Sequence, residues 1–223
     1  MTTVAQEVPL LRAGDKLTQK EFLRRWEAMP EIKRAELIGG IVFMPSPTTK
    51  DHGIYEGSTA TWLGYYAAFT PGCALGTNMT WLMLDDSPQP DVSLAILPDY
   101  GGQSFVKGKY CAGAPELAAE ISHSSVAYDL HLKMDLYRRA GVLEYLAVLV
   151  EEQEVRWFHL KDGTYHRLPL IGGILRSRVF PGLWLNVAAF LAGRMKQVLA
   201  TLQEGLDSPT HAKFVAQLAR KRS

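Results

Sequence analysis

The sequence predicts a single α/β domain in which a mixed β-sheet is flanked by helices, with a C-terminal helical extension. Helix-like and strand-like apolar patterns alternate along the chain, and no internal repeat interrupts them. The chain has 223 residues, of which 47% are hydrophobic, which is enough for one core of generous size. We therefore divide it into a domain over residues 1–193 and a helical tail over residues 194–223.

Apolar spacing and turn residues predict each element in order. Thr18 and Glu21 form a capping box that starts a first helix, and Pro30 stops it. Gly39 and Gly40 provide the turn of a simple hairpin. The predicted elements are a helix 18–29, a hairpin 35–44, a helix 51–69, strands 74–84 and 91–97, a glycine-rich loop 97–114, a strand 116–121, a helix 126–139, a strand 142–150, a hairpin 154–168 and helices from about 189 onward.

Charge and cysteine content narrow the class of protein. Lysine and arginine number 24 against 23 acidic residues, which excludes a strongly basic nucleic-acid coat protein but not an enzyme with a local positive patch. Two cysteines, Cys73 and Cys111, form neither a disulfide framework nor a zinc motif, so we expect a reducing, cytoplasmic location. No apolar run approaches the ~20 residues that cross a bilayer, and we expect no membrane partner.

Four ionisable residues lie in or beside apolar segments. Asp91 opens a short apolar strand, Glu120 lies near the end of the next, and Lys133 lies in the following helix, while Glu36 lies in the first hairpin. Two carboxylates on neighbouring apolar strands repel unless a divalent metal lies between them, and oxygen ligands suit Mg²⁺ or Mn²⁺. A nearby lysine can orient a water or offset phosphate charge. The pattern predicts metal-dependent phosphodiester hydrolysis.

The order Pro90-Asp91, Glu120, lysine resembles the PD-(D/E)xK nucleases. The lysine of that motif normally stands two residues after the glutamate, where this chain has Ser122. The closer resemblance is to the Uma-type endonuclease family, in which the lysine has moved to the next helix, here as Lys133. Further matching segments are 17–22, 36–40, 44–47 with His52, 141–145 and 180–185, so that the resemblance spans roughly residues 17–190. Departures are Gly39-Gly40 in place of an acidic pair and Leu146 in place of a tryptophan.

The resemblance implies a restriction-endonuclease-like fold and cleavage of nucleic acid, most simply DNA. It implies that Asp91 and Glu120 hold Mg²⁺ or Mn²⁺ with help from the backbone carbonyl of Ile121. Lys133 would position the attacking water or stabilise the pentavalent phosphorus, and Glu36 would assist. A homodimer is expected, because one active site cuts one strand and paired cuts need two.

Each of these roles has a simpler alternative. Asp91 and Glu120 are compatible with strand-end positions that cap turns or face solvent. Lys133 is compatible with a solvated helix lysine paired with Asp129 four residues earlier, a pair worth only ~0.3–0.5 kcal/mol. Tyr137 shares the helix face of Lys133 and fits a core position or a contact with the site.

Glu36 is equally compatible with an ion pair to Arg34 or Lys33. His52, at a helix start, is compatible with a phosphate contact or with a local capping role. Ser122 is compatible with a hydrogen bond to a metal-bound water or with a strand-end turn.

Lys107 and Lys109, in the glycine-rich loop, are compatible with contacts to a nucleic-acid backbone, although a solvated loop is the simpler interpretation. Two other classes of function stay open: a non-catalytic nucleic-acid-binding or regulatory module on the same fold, and an assembly protein that acts through its C-terminal helices.

Overall fold

The structure, a computed structural model, describes residues 8–44, 48–122 and 128–222, and only the backbone of residues 128–130. The helices are α1 (Gln19–Glu27), α2 (Lys50–Ala68), a 3₁₀ turn (Pro98–Tyr100), a π-helix (Tyr128–Lys133), α3 (Met134–Ala140), α4 (Val187–Leu191), α5 (Met195–Leu206) and α6 (Pro209–Lys221). The strands are β1 (Glu36–Ile38), β2 (Ile41–Phe43), β3 (Cys73–Thr77), β4 (Trp81–Leu82), β5 (Val92–Ile96), β6 (Phe105–Lys107), β7 (Tyr110–Ala112), β8 (Leu117–Ser122), β9 (Glu144–Leu149), β10 (Glu154–Lys161), β11 (Thr164–Arg167), β12 (Ile174–Arg176) and β13 (Trp184–Asn186).

A six-stranded mixed sheet forms the centre of the fold, with strand order β11-β10-β9-β8-β5-β3. Its one parallel pair is β8 with β9, and the other neighbours run antiparallel. Every residue of β8 and β9 is buried, as expected for strands covered on both faces. The predicted fold class, a mixed sheet flanked by helices, is confirmed.

The two faces of this sheet carry separate apolar clusters. One face packs against α2 and α5, through side chains that include Trp62, Tyr66, Val198 and Leu202. The opposite face packs against α3, with Tyr137 among the side chains of that cluster. Burial of these apolar side chains is the main stabilising contribution, at about 25 cal/mol per Å² of apolar surface. Because helices cover both faces of the sheet, the ends of β5 and β8 are held in fixed positions.

Several predicted elements match the structure. Thr18 caps α1 and accepts a hydrogen bond from the Glu21 amide. Gly39 and Gly40 have φ of +61° and +74° and make the turn between β1 and β2. Gly141 ends α3 in the left-handed conformation. Residues 45–47 of the resemblance lie outside the described residues.

Two predictions were wrong between residues 74 and 114. The single strand 74–84 is split, because Asn78, with φ of +51°, ends β3, and β4 then joins a different sheet beside β7. The glycine-rich loop contains the hairpin β6–β7, whose two-residue turn begins at Gly108 with φ of +64°. The predicted helix 126–139 is π-helical over 128–133 before α3 begins, and residues 126–127 lie outside the described residues.

The chain after Gly193 forms α5 and α6, as predicted, and α5 contributes Val198, Leu202 and Leu206 to the large core. Gly205 of α5 lies so close to Gly182 that a Cβ at position 205 would be 2.1 Å from the Gly182 carbonyl oxygen. This close approach seats α5 on the turn before β13. The division at residue 193 stays a prediction. None of the described helices has an apolar stretch long enough to cross a bilayer.

Candidate functional site

Asp91 and Glu120 lie side by side at one end of the central sheet, where β5 begins and β8 ends. In the antiparallel register Val92 pairs with Ala119 and Ser93 with Ala118, so one further step places Asp91 opposite Glu120. Because side chains alternate along a strand, both carboxylates face the side of the sheet that α3 covers. Asp91 is 9% exposed and Glu120 is 2% exposed. The alternative in which these carboxylates face solvent is therefore wrong, whereas metal ligation stays a prediction.

The two oxygens of Asp91 face different groups. Oδ2 accepts a hydrogen bond of 2.8 Å from the amide of Ile121, and Oδ1 lies 3.4 Å from Nε2 of His52. Burial favours the neutral carboxyl, but His52 and the charge of Lys133 outweigh it and lower the pKa of Asp91. Since the N–H and C=O of one strand residue point to the same side, the carbonyl of Ile121 faces the β5 side of β8, as its amide does.

Lys133 lies between two carboxylates that come from distant parts of the chain. Its ammonium is 2.9 Å from Oε1 of Glu36 and 3.1 Å from both oxygens of Glu120. The side chain is 5% exposed, so the solvated-lysine alternative is wrong. The side chain of Asp129 lies outside the described residues. One turn after Lys133, Tyr137 donates a hydrogen bond of 2.5 Å to Oε1 of Glu120.

Glu36 is oriented toward Lys133 by the hairpin that carries it. Its Oε1 also accepts a hydrogen bond of 2.6 Å from the backbone amide of Gln89. Burial raises the pKa of Glu36, although the Lys133 charge opposes that rise. The alternative pairs with Lys33 and Arg34 are not formed: the Lys33 ammonium donates to the Pro30 carbonyl, and Arg34 lies 4.0 Å from Glu56.

Glu56 lies beside His52 and Asp91, and the sequence alone did not identify it as a candidate. His52 and Glu56 are four residues apart on α2 and thus share one helix face, which is the signal that would have revealed the pair. Nε2 of His52 is 3.7 Å from Oε2 of Glu56 and 3.4 Å from Oδ1 of Asp91. The nearby negative charge of Asp91 raises the pKa of His52, against the effect of burial. His52 thus does more than cap the helix, a role that Thr49 fills.

The donor set at this edge fits a divalent cation. His52, Glu56 and Asp91 each offer one ligand atom, and the three atoms lie within 4.8 Å of one another. Nε2 of His52 is buried without a hydrogen bond of good geometry to any residue in the described part of the chain. At 3.4 Å its approach to Asp91 is an electrostatic contact rather than a directed hydrogen bond. A buried carboxylate, a partly exposed carboxylate and a buried imidazole nitrogen without a directed hydrogen bond are a combination that a bound cation satisfies.

The remaining candidates are one buried residue at a strand end and two exposed lysines. Ser122 is buried as the last residue of β8, where its carbonyl accepts a hydrogen bond from Val150. Lys107 is exposed on β6, and Lys109 forms an exposed ion pair of 3.1 Å with Glu27. Exposed pairs of this kind contribute at most about 1 kcal/mol.

Comparisons with known proteins identify a family and a fold. The sequence model of the family Uma2, described as a putative restriction endonuclease, matches residues 20–188. Among solved structures, a similar chain is a putative nuclease belonging to DUF820 from Anabaena variabilis ATCC 29413. It is 16% identical, the match covers 83% of this chain and 99% of that chain, and the TM-score is 0.57. At this identity the likeness shows the fold alone. No curated protein matches the sequence significantly.

Proposed function

Because the chain belongs to the Uma2 family of putative restriction endonucleases, we propose that it is an endonuclease that uses Mg²⁺ or Mn²⁺ to hydrolyse DNA phosphodiester bonds. The observation that carries the proposal is the convergence of Asp91, Glu120 and Lys133 at one buried end of the central strands β5 and β8. Carboxylates beside an ammonium are the groups that hold a divalent cation and compensate charge on a phosphate.

Asp91, Glu120 and the carbonyl of Ile121 are the proposed metal ligands. A divalent cation bound to them supplies positive charge that neutralises the phosphate and makes a nearby water more acidic. The Ile121 amide fixes the Asp91 carboxylate, and the lowered pKa keeps that carboxylate ionised near neutral pH.

Lys133 is the proposed group that acts on the water or on the phosphorus. An ammonium next to the reaction centre positions the attacking water and stabilises the negative charge that grows on the phosphate oxygens. Glu36 and Glu120 restrict the ammonium to one location, so little reorganisation accompanies the reaction. Tyr137, one turn later on the same helix face, donates to Oε1 of Glu120 and restrains that carboxylate as well.

Cleavage of both DNA strands requires two such sites, so the active form is proposed to be a homodimer. In that case, nicked circles accumulate under conditions that favour the monomer, and linear molecules appear as the protein concentration rises. Sedimentation velocity at the same concentrations measures the association state directly.

The proposal is tested by incubating purified protein with supercoiled DNA, linear DNA and RNA in the presence of Mg²⁺ or Mn²⁺. Asp91→Asn, Glu120→Gln and Lys133→Met each remove one proposed role at nearly constant side-chain size. We expect each variant to lower the cleavage rate by at least about hundredfold. Asp135→Asn is the matched control, because its carboxylate is exposed and pairs with arginines on α3.

Failure of the wild-type protein to cleave any substrate, with no metal-dependent rise in melting temperature, contradicts the proposal. DNA binding that persists in Asp91→Ala without cleavage by the wild type favours a non-catalytic binding module instead. Equal loss of activity in Asp135→Asn would indicate that the variants damage folding rather than the site.

A further inference from the structure

His52, Glu56 and Asp91 form a cluster that differs chemically from the oxygen ligands assigned above. The contributing atoms are one imidazole nitrogen and two carboxylate oxygens, from the first turns of α2 and from the residue before β5. The imidazole separates this group from an ordinary acidic patch, because nitrogen ligands favour first-row transition-metal ions over Mg²⁺.

Each carboxylate in the cluster is anchored by the oxygen that does not face His52. Oδ2 of Asp91 accepts from the Ile121 amide, while Oδ1 faces the imidazole. Oε1 of Glu56 accepts a hydrogen bond of 2.5 Å from the side-chain amide of Asn78, while Oε2 faces the imidazole. The three inward-facing atoms are therefore held in place before any ligand binds, which lowers the entropic cost of binding.

The two distances from His52 are close to those between ligands of one ion. With metal–ligand bonds of about 2.1 Å, two ligand atoms lie about 3.0 Å apart at a right angle and about 3.4 Å apart in a tetrahedron. The two separations from Nε2 of His52 are 3.4 Å to Asp91 and 3.7 Å to Glu56. All three ligand atoms lie within 4.8 Å of one another, so binding of one ion requires the two carboxylates to draw in toward it.

The geometry points to a cation position formed by Nε2 of His52, Glu56 and Asp91, which prefers a transition-metal ion such as Mn²⁺ or Co²⁺ to Mg²⁺. Asp91 thus faces two positions, one toward His52 through Oδ1 and one toward β8, where Oδ2 contacts the Ile121 amide. The inference deepens the proposed function and rests on it for the reaction at Asp91, but ion binding at His52 is measurable without nucleic acid.

A different arrangement explains the same contacts, namely an imidazolium that pairs with Asp91 and Glu56 and binds no ion. In such an ion pair, Nε2 of His52 carries a proton, whereas in the inferred arrangement it binds the metal ion. The two arrangements differ in one observable, which is whether the nitrogen of His52 is bonded to the metal.

The experiment uses Mn²⁺ as the probe ion on the full-length protein without DNA. Loss of the free Mn²⁺ signal in electron paramagnetic resonance gives the affinity, and competition with Mg²⁺ gives the selectivity. Electron spin echo modulation reports directly on a coordinated imidazole nitrogen. His52→Ala is the test variant, and His166→Ala, at an exposed position on β11, is the matched control.

We expect nitrogen modulation in the wild type and in His166→Ala, and its loss in His52→Ala. Mn²⁺ affinity should fall by at least about tenfold in His52→Ala, with a smaller change for Mg²⁺. Unchanged modulation or unchanged selectivity in His52→Ala overturns the inference. These outcomes are separable from the proposed function. A protein that cleaves DNA but shows no nitrogen modulation retains the function and refutes the cation position. A protein that shows nitrogen modulation but cleaves no substrate retains the cation position and refutes the function.

Discussion

The buried carboxyl of Glu144 should make the free energy of unfolding depend on pH, and Glu144→Gln should remove that dependence. Glu144 is fully buried at the start of β9. Oε1 accepts hydrogen bonds from the backbone amides of Arg178 and Val179, at 2.6 and 3.1 Å, and Oε2 accepts from the Ser177 hydroxyl at 2.7 Å. Burial raises the pKa of Glu144 to about 7, although these donors oppose the rise.

The raised pKa of Glu144 determines whether its contribution to stability rises or falls with pH. Because the folded state binds this proton more tightly than the unfolded state, the contribution to stability is complete below pH 4.5 and declines as pH rises toward about 7. The rise from 4.5 to about 7, at about 1.4 kcal/mol per pKa unit, corresponds to about 3 kcal/mol. Glu144→Gln keeps an acceptor for the two amides and does not titrate. Its NH₂ group replaces the oxygen that accepts from the Ser177 hydroxyl, and the cost of losing that hydrogen bond is the same at every pH.

The assay is urea denaturation of the wild type and Glu144→Gln between pH 4.5 and 8, with chelator present. The stability of the variant relative to the wild type should increase by about 3 kcal/mol across this range. Glu154→Gln is the control, because its exposed arginine pairs lower the pKa of that carboxyl and place its titration below the range. Parallel curves for Glu144→Gln and wild type, within about 0.5 kcal/mol, would refute the reasoning.

Further predictions concern one hydrogen bond and two glycines, and urea denaturation measures all of them. Tyr137→Phe removes a bond to the Glu120 carboxylate and should cost about 1.5–3 kcal/mol. Gly205→Ala forces a Cβ against the Gly182 carbonyl and should cost about 1–3 kcal/mol. Gly57→Ala meets no atom within 4 Å on α2 and should stabilise by about 0.5–1 kcal/mol. An unchanged midpoint for Tyr137→Phe, or equal effects of the two glycine substitutions, would contradict these expectations.

Local sequence signals predicted most of the central fold and its family. Periodicity located β5, β8 and β9, and the motif order around Asp91 and Glu120 indicated the endonuclease family, which the comparison confirms. These features are encoded within short stretches, where alternation, capping and turn residues act directly. The strand predicted over 74–84 failed because a left-handed residue, Asn78, interrupts an otherwise strand-like pattern.

The contacts of the site could not be predicted, because they join residues far apart in sequence. Nothing near Glu36 indicates that its partner is Lys133 rather than Arg34, which lies two residues away. That choice depends on how the β1–β2 hairpin packs beside β8 and α3. Glu56 was missed for the same reason: its carboxylate gains significance only when α2 places it beside Asp91.

In the proposed function, Lys133 takes the role of the lysine that the more common nuclease motif carries on the strand. Ser122 occupies the strand position where that motif has lysine, and the ammonium arrives instead from the last residue of the π-helix before α3. Its nitrogen is nevertheless 3.1 Å from both oxygens of Glu120. Stabilisation of a phosphate depends on where the charge lies relative to that carboxylate, not on which element delivers it. A lysine on a helix satisfies this requirement provided that buried partners fix its long side chain, and Glu36 and Glu120 provide that restraint.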